Sequence, residues 1–187
     1  LIPGGILSDS STILDAGCGP ATMARFLSLP IYGVDLNPWM IEKAREVAPE
    51  LTANICEGSV SALDKWWTDK FRLTTCSMVL DWTERGSRKD SERVRALNEL
   101  IRVTHPQGLV WLTFNYKSMN NKLFKAWVTA LREAGCDISN LSGMVVPTTM
   151  RGDRKPKFAF WSIMFSPNGQ DIRLNDPSSF LFLFETE

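Results

Sequence analysis

The chain has 187 residues, 44% of them apolar and 22% charged, which is the balance of a globular protein with room for one real core. Its 21 basic and 21 acidic residues cancel, so no global field draws it to nucleic acid or to an anionic membrane, although local basic patches remain open. One histidine, His105, and four scattered cysteines (Cys18, Cys56, Cys76 and Cys136) with no C-x-x-C pair argue against a His/Cys metal centre, and the expected metal content is none. The thiols suit a reducing compartment, no apolar run approaches the roughly 20 residues of a membrane span, and no signal peptide is visible. A cytoplasmic protein without a membrane partner is expected.

Leu1 to Ser11 is a lead-in with a Pro3-Gly4-Gly5 turn. The first strand follows almost at once (Ile13, Leu14), so a chain trimmed at its N-terminus, or one part of a longer protein, is expected. Asp15 and a Gly17-Cys18-Gly19 turn lead into a helix over about Ala21 to Ser28, stopped by Pro30. Ile31 to Asp35 reads as the second strand. Asn37 caps the next helix and Pro38 suits its first turn; that helix runs to about Val47. A third strand is expected at Ala53 to Cys56, a fourth at Phe71 to Leu80 and a fifth at Leu109 to Phe114. A helix from about Glu92 to Val103 buries Val94, Leu97, Leu100 and Ile101, and His105 to Gly108 is a turn. Leu123 to Ala134 is amphipathic and helical. Three extended stretches follow, at about Gly143 to Pro147, Phe158 to Phe165 and Phe180 to Phe184. The last two are favoured as a hairpin through Pro167-Asn168-Gly169. With no repeat or low-complexity linker, residues 1–187 read as one domain, and alternating strands and helices predict a doubly wound parallel sheet with helices on both faces.

The chemistry concentrates in Ile13 to Leu27. Gly17 and Gly19 can take positive φ and let a ligand approach the backbone, where a helix start offers unpaired N–H groups. Asp15 adds a carboxylate that can accept from an ammonium or hydroxyl, which suits a ligand with cationic donors better than a bare pyrophosphate. Asp35, at the tip of the second strand, can accept both hydroxyls of a ribose.

Asp15-Ala16-Gly17-Cys18-Gly19 resembles the D/E-x-G-x-G cofactor loop of class I S-adenosylmethionine (SAM)-dependent methyltransferases, and Val34-Asp35-Leu36-Asn37-Pro38 with Met40 resembles their second motif. Gly58-Ser59-Val60 resembles the third, with Ser59 where an acid is usual. Phe71 to Leu80 resembles the fourth strand with Arg72 in an acid's place, and His105 to Gly108 resembles the K-P-G-G turn before the fifth. The resemblance spans about Ser11 to Phe114. It implies a Rossmann-like methyltransferase fold: an α/β, mostly parallel seven-stranded sheet with an antiparallel strand near the C-terminus. Members usually carry helices before the first strand. It also implies SAM as cofactor and S-adenosylhomocysteine as product. Asp15, Gly17, Cys18 and Gly19 would hold the methionine end, Asp35 the ribose, Leu36 and Met40 the adenine face. Gly58, Ser59 and Val60 would meet the adenine edge, and Cys76 and Ser77 would pass the methionine part. Asp81 would orient the methyl acceptor or take its proton, and Trp82 would stack on a flat acceptor. Asn115 and Tyr116 would border the acceptor pocket.

A nicotinamide dehydrogenase is the competing use of such a sheet, but its third loop glycine is absent, with Thr22 in that place. A catalytically degenerate SAM-binding module with a regulatory or scaffolding role is the other alternative, favoured by Ser59. No N-P-P-Y/F follows the fourth strand. A small-molecule acceptor is favoured on charge balance and RNA stands second, on Trp82 and the basic loop of Arg151, Arg154, Lys155 and Lys157.

Overall fold

The computed structural model describes residues 11–25, 30–82, 90–115, 129, 142–148 and 158–167. The first strand, β1 (Ile13–Ala16), is buried on both faces, as a short apolar segment in the middle of a parallel sheet must be. It is flanked by β2 (Ile31–Asp35) and β4 (Phe71–Ser77), both parallel to it, and β3 (Ile55–Glu57) lies outside β2. On the other side follow β5 (Thr104–Asn115), parallel to β4, then β7 (Phe158–Phe165), antiparallel to β5, and outermost β6 (Ser142–Thr148), antiparallel to β7 and therefore running with β1 to β5. Seven strands thus form one sheet in the order β3-β2-β1-β4-β5-β7-β6. The order reverses between β1 and β4, which opens a crevice at the carboxyl ends of those strands.

Two helices cover the described sheet. Helix α1 (Pro38–Val47) starts where expected: the Asn37 side chain accepts from the Trp39 N–H, and Pro38 occupies the first turn. It buries Ile41 and Ala44 against Cys18, Ala21 and Ile55. Helix α2 (Asp90–Val103) packs Ala96, Leu97, Leu100 and Val103 onto Leu14, Val34, Phe71 and Val110. Its inward stripe also carries Arg93, while Val94 and Ile101, expected on that side, are only half-buried.

Several expected boundaries move. The first helix is described only as a 3-10 turn, Thr22–Arg25. Residues 49–54 form a second such turn, so β3 starts two residues later than its apolar pattern suggested. Strand β4 stops at Ser77 because Met78 takes φ 60°, which a strand cannot accommodate. His105 to Gly108 does not precede β5 but bulges within it, between the pairs Phe71↔Thr104 and Leu73↔Leu109. Gly108 is required there: a Cβ would lie 2.9 Å from the Arg72 carbonyl oxygen. The favoured hairpin is overturned. Strand β7 pairs with β6 along one edge and β5 along the other, leaving neither edge for residues 180–184. Apart from residue 129, the helix expected at 123–134 lies outside the described residues, as do the stretch 180–184, the loop at 150–157 and Tyr116. Among the described residues, no helix is long and apolar enough to cross a membrane.

Candidate functional site

Parallel register puts neighbouring strand residues on the same face, so Asp15 on β1 lies beside Gly33 on β2 and Thr75 on β4. Asp35, two residues after Gly33, shares that face. The backbone after β1 folds over the tip of β2: the Gly17 and Cys18 N–H groups both donate to the Val34 carbonyl, at 2.6 and 2.9 Å. The turn is left-handed at Gly17 (φ 81°), Gly19 (φ 51°) and Ala21 (φ 55°).

The two loop glycines do different work. A Cβ on Gly17 would fall 2.0 Å from Val79 Cγ2, so this glycine admits the chain after β4 rather than a ligand. A Cβ on Gly19 would meet nothing within 4 Å, so that position faces open space. The Gly19 N–H donates to Asp35 Oδ2 at 2.9 Å, and the Asn37 N–H donates to Asp35 Oδ1 at 2.9 Å. Asp35 is therefore fixed by two backbone donors. Each carboxylate oxygen keeps a further acceptor site, the number a vicinal diol needs.

Asp15 is 5% exposed. Thr75 Oγ1 donates to its Oδ1 at 2.9 Å, but burial is the larger influence and Asp35 adds like charge. The carboxyl is pushed up from 3.8 to about 6. Burial, with Asp15 and then Asp35 nearby, pushes the Cys18 thiol up to about 12. Its sulfur packs over Gly33, where a Cβ would lie 2.9 Å away. Burial, with Asp15 second, also pushes the Cys76 thiol up. Cys18 and Cys76 are thus buried neutral thiols, Cys18 in the cluster under α1 and Cys76 in the cluster under α2.

Leu36 is 70% exposed beside the rim, and Met40 is half-buried on α1. The Gly58 N–H donates to the Asp35 carbonyl at 2.9 Å, which brings Ser59 and Val60 next to Asp35. Ser59 Oγ accepts from the Ser61 N–H at 3.2 Å and shares a hydrogen bond with Ser61 Oγ at 2.9 Å. On the other side of the crevice Ser77 Oγ lies 2.7 Å from Thr113 Oγ1, and the Met78 N–H donates to the Thr113 carbonyl at 3.0 Å. A turn closed by the Trp82 N–H on the Val79 carbonyl follows, leaving the Trp82 ring 64% exposed.

Two residues of this region were missed by sequence reasoning. Thr113 could have been found from its register opposite Ser77. Arg93 is 2% exposed; burial lowers its guanidinium to about 10, opposed by the charge of Asp81. Its only sequence signal is its position three, four and seven residues before Ala96, Leu97 and Leu100 on one helical stripe. Two further polar residues serve the structure: Asp64 caps a 3-10 turn by accepting from the Trp66 N–H, and His105 Nδ1 accepts from the Gln107 N–H.

Asp15, Gly19, Asp35, Leu36, Ser59 and Val60 thus lie along the carboxyl ends of three adjacent strands, in the order β1, β2, β3. An acid, an open loop, a half-satisfied carboxylate and a hydroxyl in that sequence fit an amino acid joined to a ribose and a base. A methyltransferase-domain family model matches residues 14–112, just over half of the chain. A malonyl-[acyl-carrier protein] O-methyltransferase from Halorhodospira halophila is 32% identical over 118 residues, 61% of this chain and 37% of that protein. The chain therefore spans little more than a third of the length of this curated relative. Among solved structures, a SAM-dependent methyltransferase from Methanosarcina mazei superposes with TM-score 0.61 at 17% identity, over 88% of this chain and 97% of that one. A TehB-like SAM-dependent methyltransferase from Corynebacterium glutamicum gives 0.59 at 20% identity, over 84% and 82%. These likenesses show the fold, a Rossmann-like methyltransferase sheet, and with the family match they identify the chain as a member of the class I methyltransferase family, whose cofactor is SAM.

Proposed function

We propose that this chain binds SAM across the tips of β1, β2 and β3 and passes its methyl group to a small-molecule acceptor held over the tips of β4 and β5. The observation that carries the reading is the line from Asp15 through Gly19 to Asp35. The buried acid has no cation facing it among the described residues, the loop is open, and the fixed carboxylate has acceptor capacity to spare.

When bound, SAM supplies an already activated methyl group, so the protein need not generate an electrophile. Asp15 accepts from the α-ammonium, and Asp35 accepts from the ribose hydroxyls. The Val60 N–H and the Ser59 hydroxyl meet the base edge, and Leu36 and Met40 flank its face. The chain's remaining task is to hold an acceptor in line and to exclude water. Trp82 offers an exposed ring for stacking. Asp81 orients the acceptor's donor or takes its proton.

The zero net charge favours a small acceptor over RNA. Because the relative from H. halophila is named for a malonyl-[acyl-carrier protein], a malonyl thioester is the first acceptor to try. The second reading, a SAM-binding module without catalysis, is favoured by Ser59: its hydroxyl is already shared with Ser61, so it holds the base less firmly than a carboxylate. Calorimetric titration with SAM and S-adenosylhomocysteine, on wild type and Asp35→Ala, tests the cofactor reading. Binding that the variant abolishes supports it; a folded wild type that binds neither ligand overturns it. Methyl transfer to any acceptor in a subsequent screen separates enzyme from module.

A further inference from the structure

Asp15 is an acid placed where an acid is costly. It is buried on a strand with fully buried neighbours, and among the described residues the donor to its side chain is the Thr75 hydroxyl. The charged or titratable groups that influence it or are influenced by it are Asp35 from β2, Cys18 from the loop and, on the opposite face of β4, Cys76. Both thiols stay neutral and Asp35 repels, so among the described residues no lysine or arginine stabilises the ionised form of Asp15. The open Gly19 loop and the spare capacity of Asp35 lie beside it on the same face.

We propose that Asp15 is a proton-linked selector for the amino-acid end of the ligand: capture of a nucleoside carrying a free α-ammonium expels one proton from the Asp15 carboxyl to solvent, whereas capture of the same nucleoside without that tail expels none. This rests on the cofactor reading above and adds to it a specificity mechanism and a pH range. An amino acid's ammonium remains charged throughout mildly acidic and neutral solution, so the ligand does not titrate in that window. The carboxyl does, because burial has moved it to about 6. Below that pH, binding must first remove a proton, and affinity falls by up to about tenfold per pH unit. Above it the carboxylate is already formed and the linkage disappears. The chain's single histidine cannot imitate the effect from the crevice. It lies at the amino end of β5, its Nδ1 engaged by the Gln107 N–H and 3.0 Å from Arg72 Nη1.

The test is calorimetric titration at pH 5.5 and 7.5, in buffers of contrasting ionisation heat, with S-adenosylhomocysteine and with methylthioadenosine, the same nucleoside thioether without the amino acid. The expected result is release of most of a proton with S-adenosylhomocysteine at pH 5.5, almost none at pH 7.5, and none with methylthioadenosine at either. Asp15→Asn should flatten the pH dependence. Thr75→Val removes the donor that favours the carboxylate, so it should move the linkage to higher pH, and Thr75→Ser should restore it. Equal proton release by the two ligands, or release that survives Asp15→Asn, overturns the proposal while leaving the cofactor reading in place. Failure of both ligands to bind the folded wild type overturns both.

Discussion

The two ends of the sheet are built on different terms. At the amino ends of β2 and β4 the aromatic rings and several charged and hydroxyl groups hold one another. Tyr32, Trp67 and Phe71 meet edge to face at 5.4 to 5.9 Å, and the Lys70 ammonium sits 3.7 Å over the Tyr32 ring. Arg102 donates to Glu99, to Thr68 Oγ1 and to the carbonyls of Leu63 and Asp64, while Glu99 also accepts the Leu63 N–H. Thr104 Oγ1 lies 2.6 Å from both Thr74 Oγ1 and the Leu100 carbonyl. The carboxyl ends carry left-handed Ala21 and Met78, a buried acid beside a second acid, and Leu36 and Trp82 in solvent. One end holds the sheet together, and the other spends part of that stability on keeping valences open for a ligand.

The largest effect should come from breaking the floor. Phe71 is fully buried and is held in the aromatic cluster, so Phe71→Ala removes its apolar area and leaves a cavity. A loss of about 3–5 kcal/mol is expected by chemical denaturation. The fraction that remains folded should bind S-adenosylhomocysteine with wild-type affinity, and a matching loss of affinity would mean that the two ends are not independent.

Asp15→Asn should act in the opposite direction on stability. The Asp15 carboxyl is raised in the folded state from 3.8 to about 6, so the native protein holds its proton more tightly than the unfolded chain. Native stability is therefore greatest below about pH 4 as far as this group is concerned. It declines as pH rises through 6, by up to about 3 kcal/mol. Denaturation of wild type and Asp15→Asn at pH 5 and pH 7.5 checks the sign: the variant should gain over wild type at the higher pH and gain less at the lower. Equal differences at both would mean that Asp15 does not titrate in this window.

Asp35→Ala should cost about a hundredfold or more in S-adenosylhomocysteine affinity, near 2.7 kcal/mol. It should also cost about 1 kcal/mol of stability, because the Gly19 and Asn37 N–H groups lose their acceptor. Titration calorimetry and denaturation separate the two. A stability loss with unchanged affinity would reduce Asp35 to a loop clasp.

The chain's fold was legible where local chemistry and tertiary packing agree. Asn37-Pro38 sets the start of α1 by capping alone, and the buried runs of β1 and β2 need no partner to be recognised. Local signals failed where long-range pairing decides. His105-Pro106-Gln107-Gly108 has the composition of a turn, yet pairing with β4 on either side makes it a bulge. The β6–β7 hairpin was misassigned because either pair of extended stretches satisfies the local pattern, and only β5 selects between them. At the site, residue types pointed to Asp15, Gly19 and Asp35. They did not separate the two glycines, whose difference is the position of Val79, and they did not reveal Arg93, a charge on an otherwise apolar stripe.

The smallest prediction uses backbone strain to compare the two ends directly. Met78 at the rim (φ 60°) and Asp69 at the floor (φ 54°) both adopt the left-handed region. A half-buried Met tolerates it poorly, and relief by glycine is worth about 1–2 kcal/mol before the entropy of the unfolded glycine takes back about 0.4–1. Met78→Gly should therefore leave stability equal or raise it by up to about 1 kcal/mol, less whatever its apolar contacts contributed. Asp tolerates the same conformation through its short polar side chain, so Asp69→Gly should change stability by only a few tenths of a kcal/mol. The binding readout is what distinguishes the ends. Met78 fixes the turn that carries Asp81 and Trp82, through its N–H on the Thr113 carbonyl, whereas the Asp69 N–H is held by the Arg102 carbonyl far from the crevice. Loosening the first should weaken ligand or acceptor capture two- to threefold, and loosening the second should leave it unchanged. If both substitutions leave binding untouched, the strain at Met78 serves the packing of β4 against β5 and not the site.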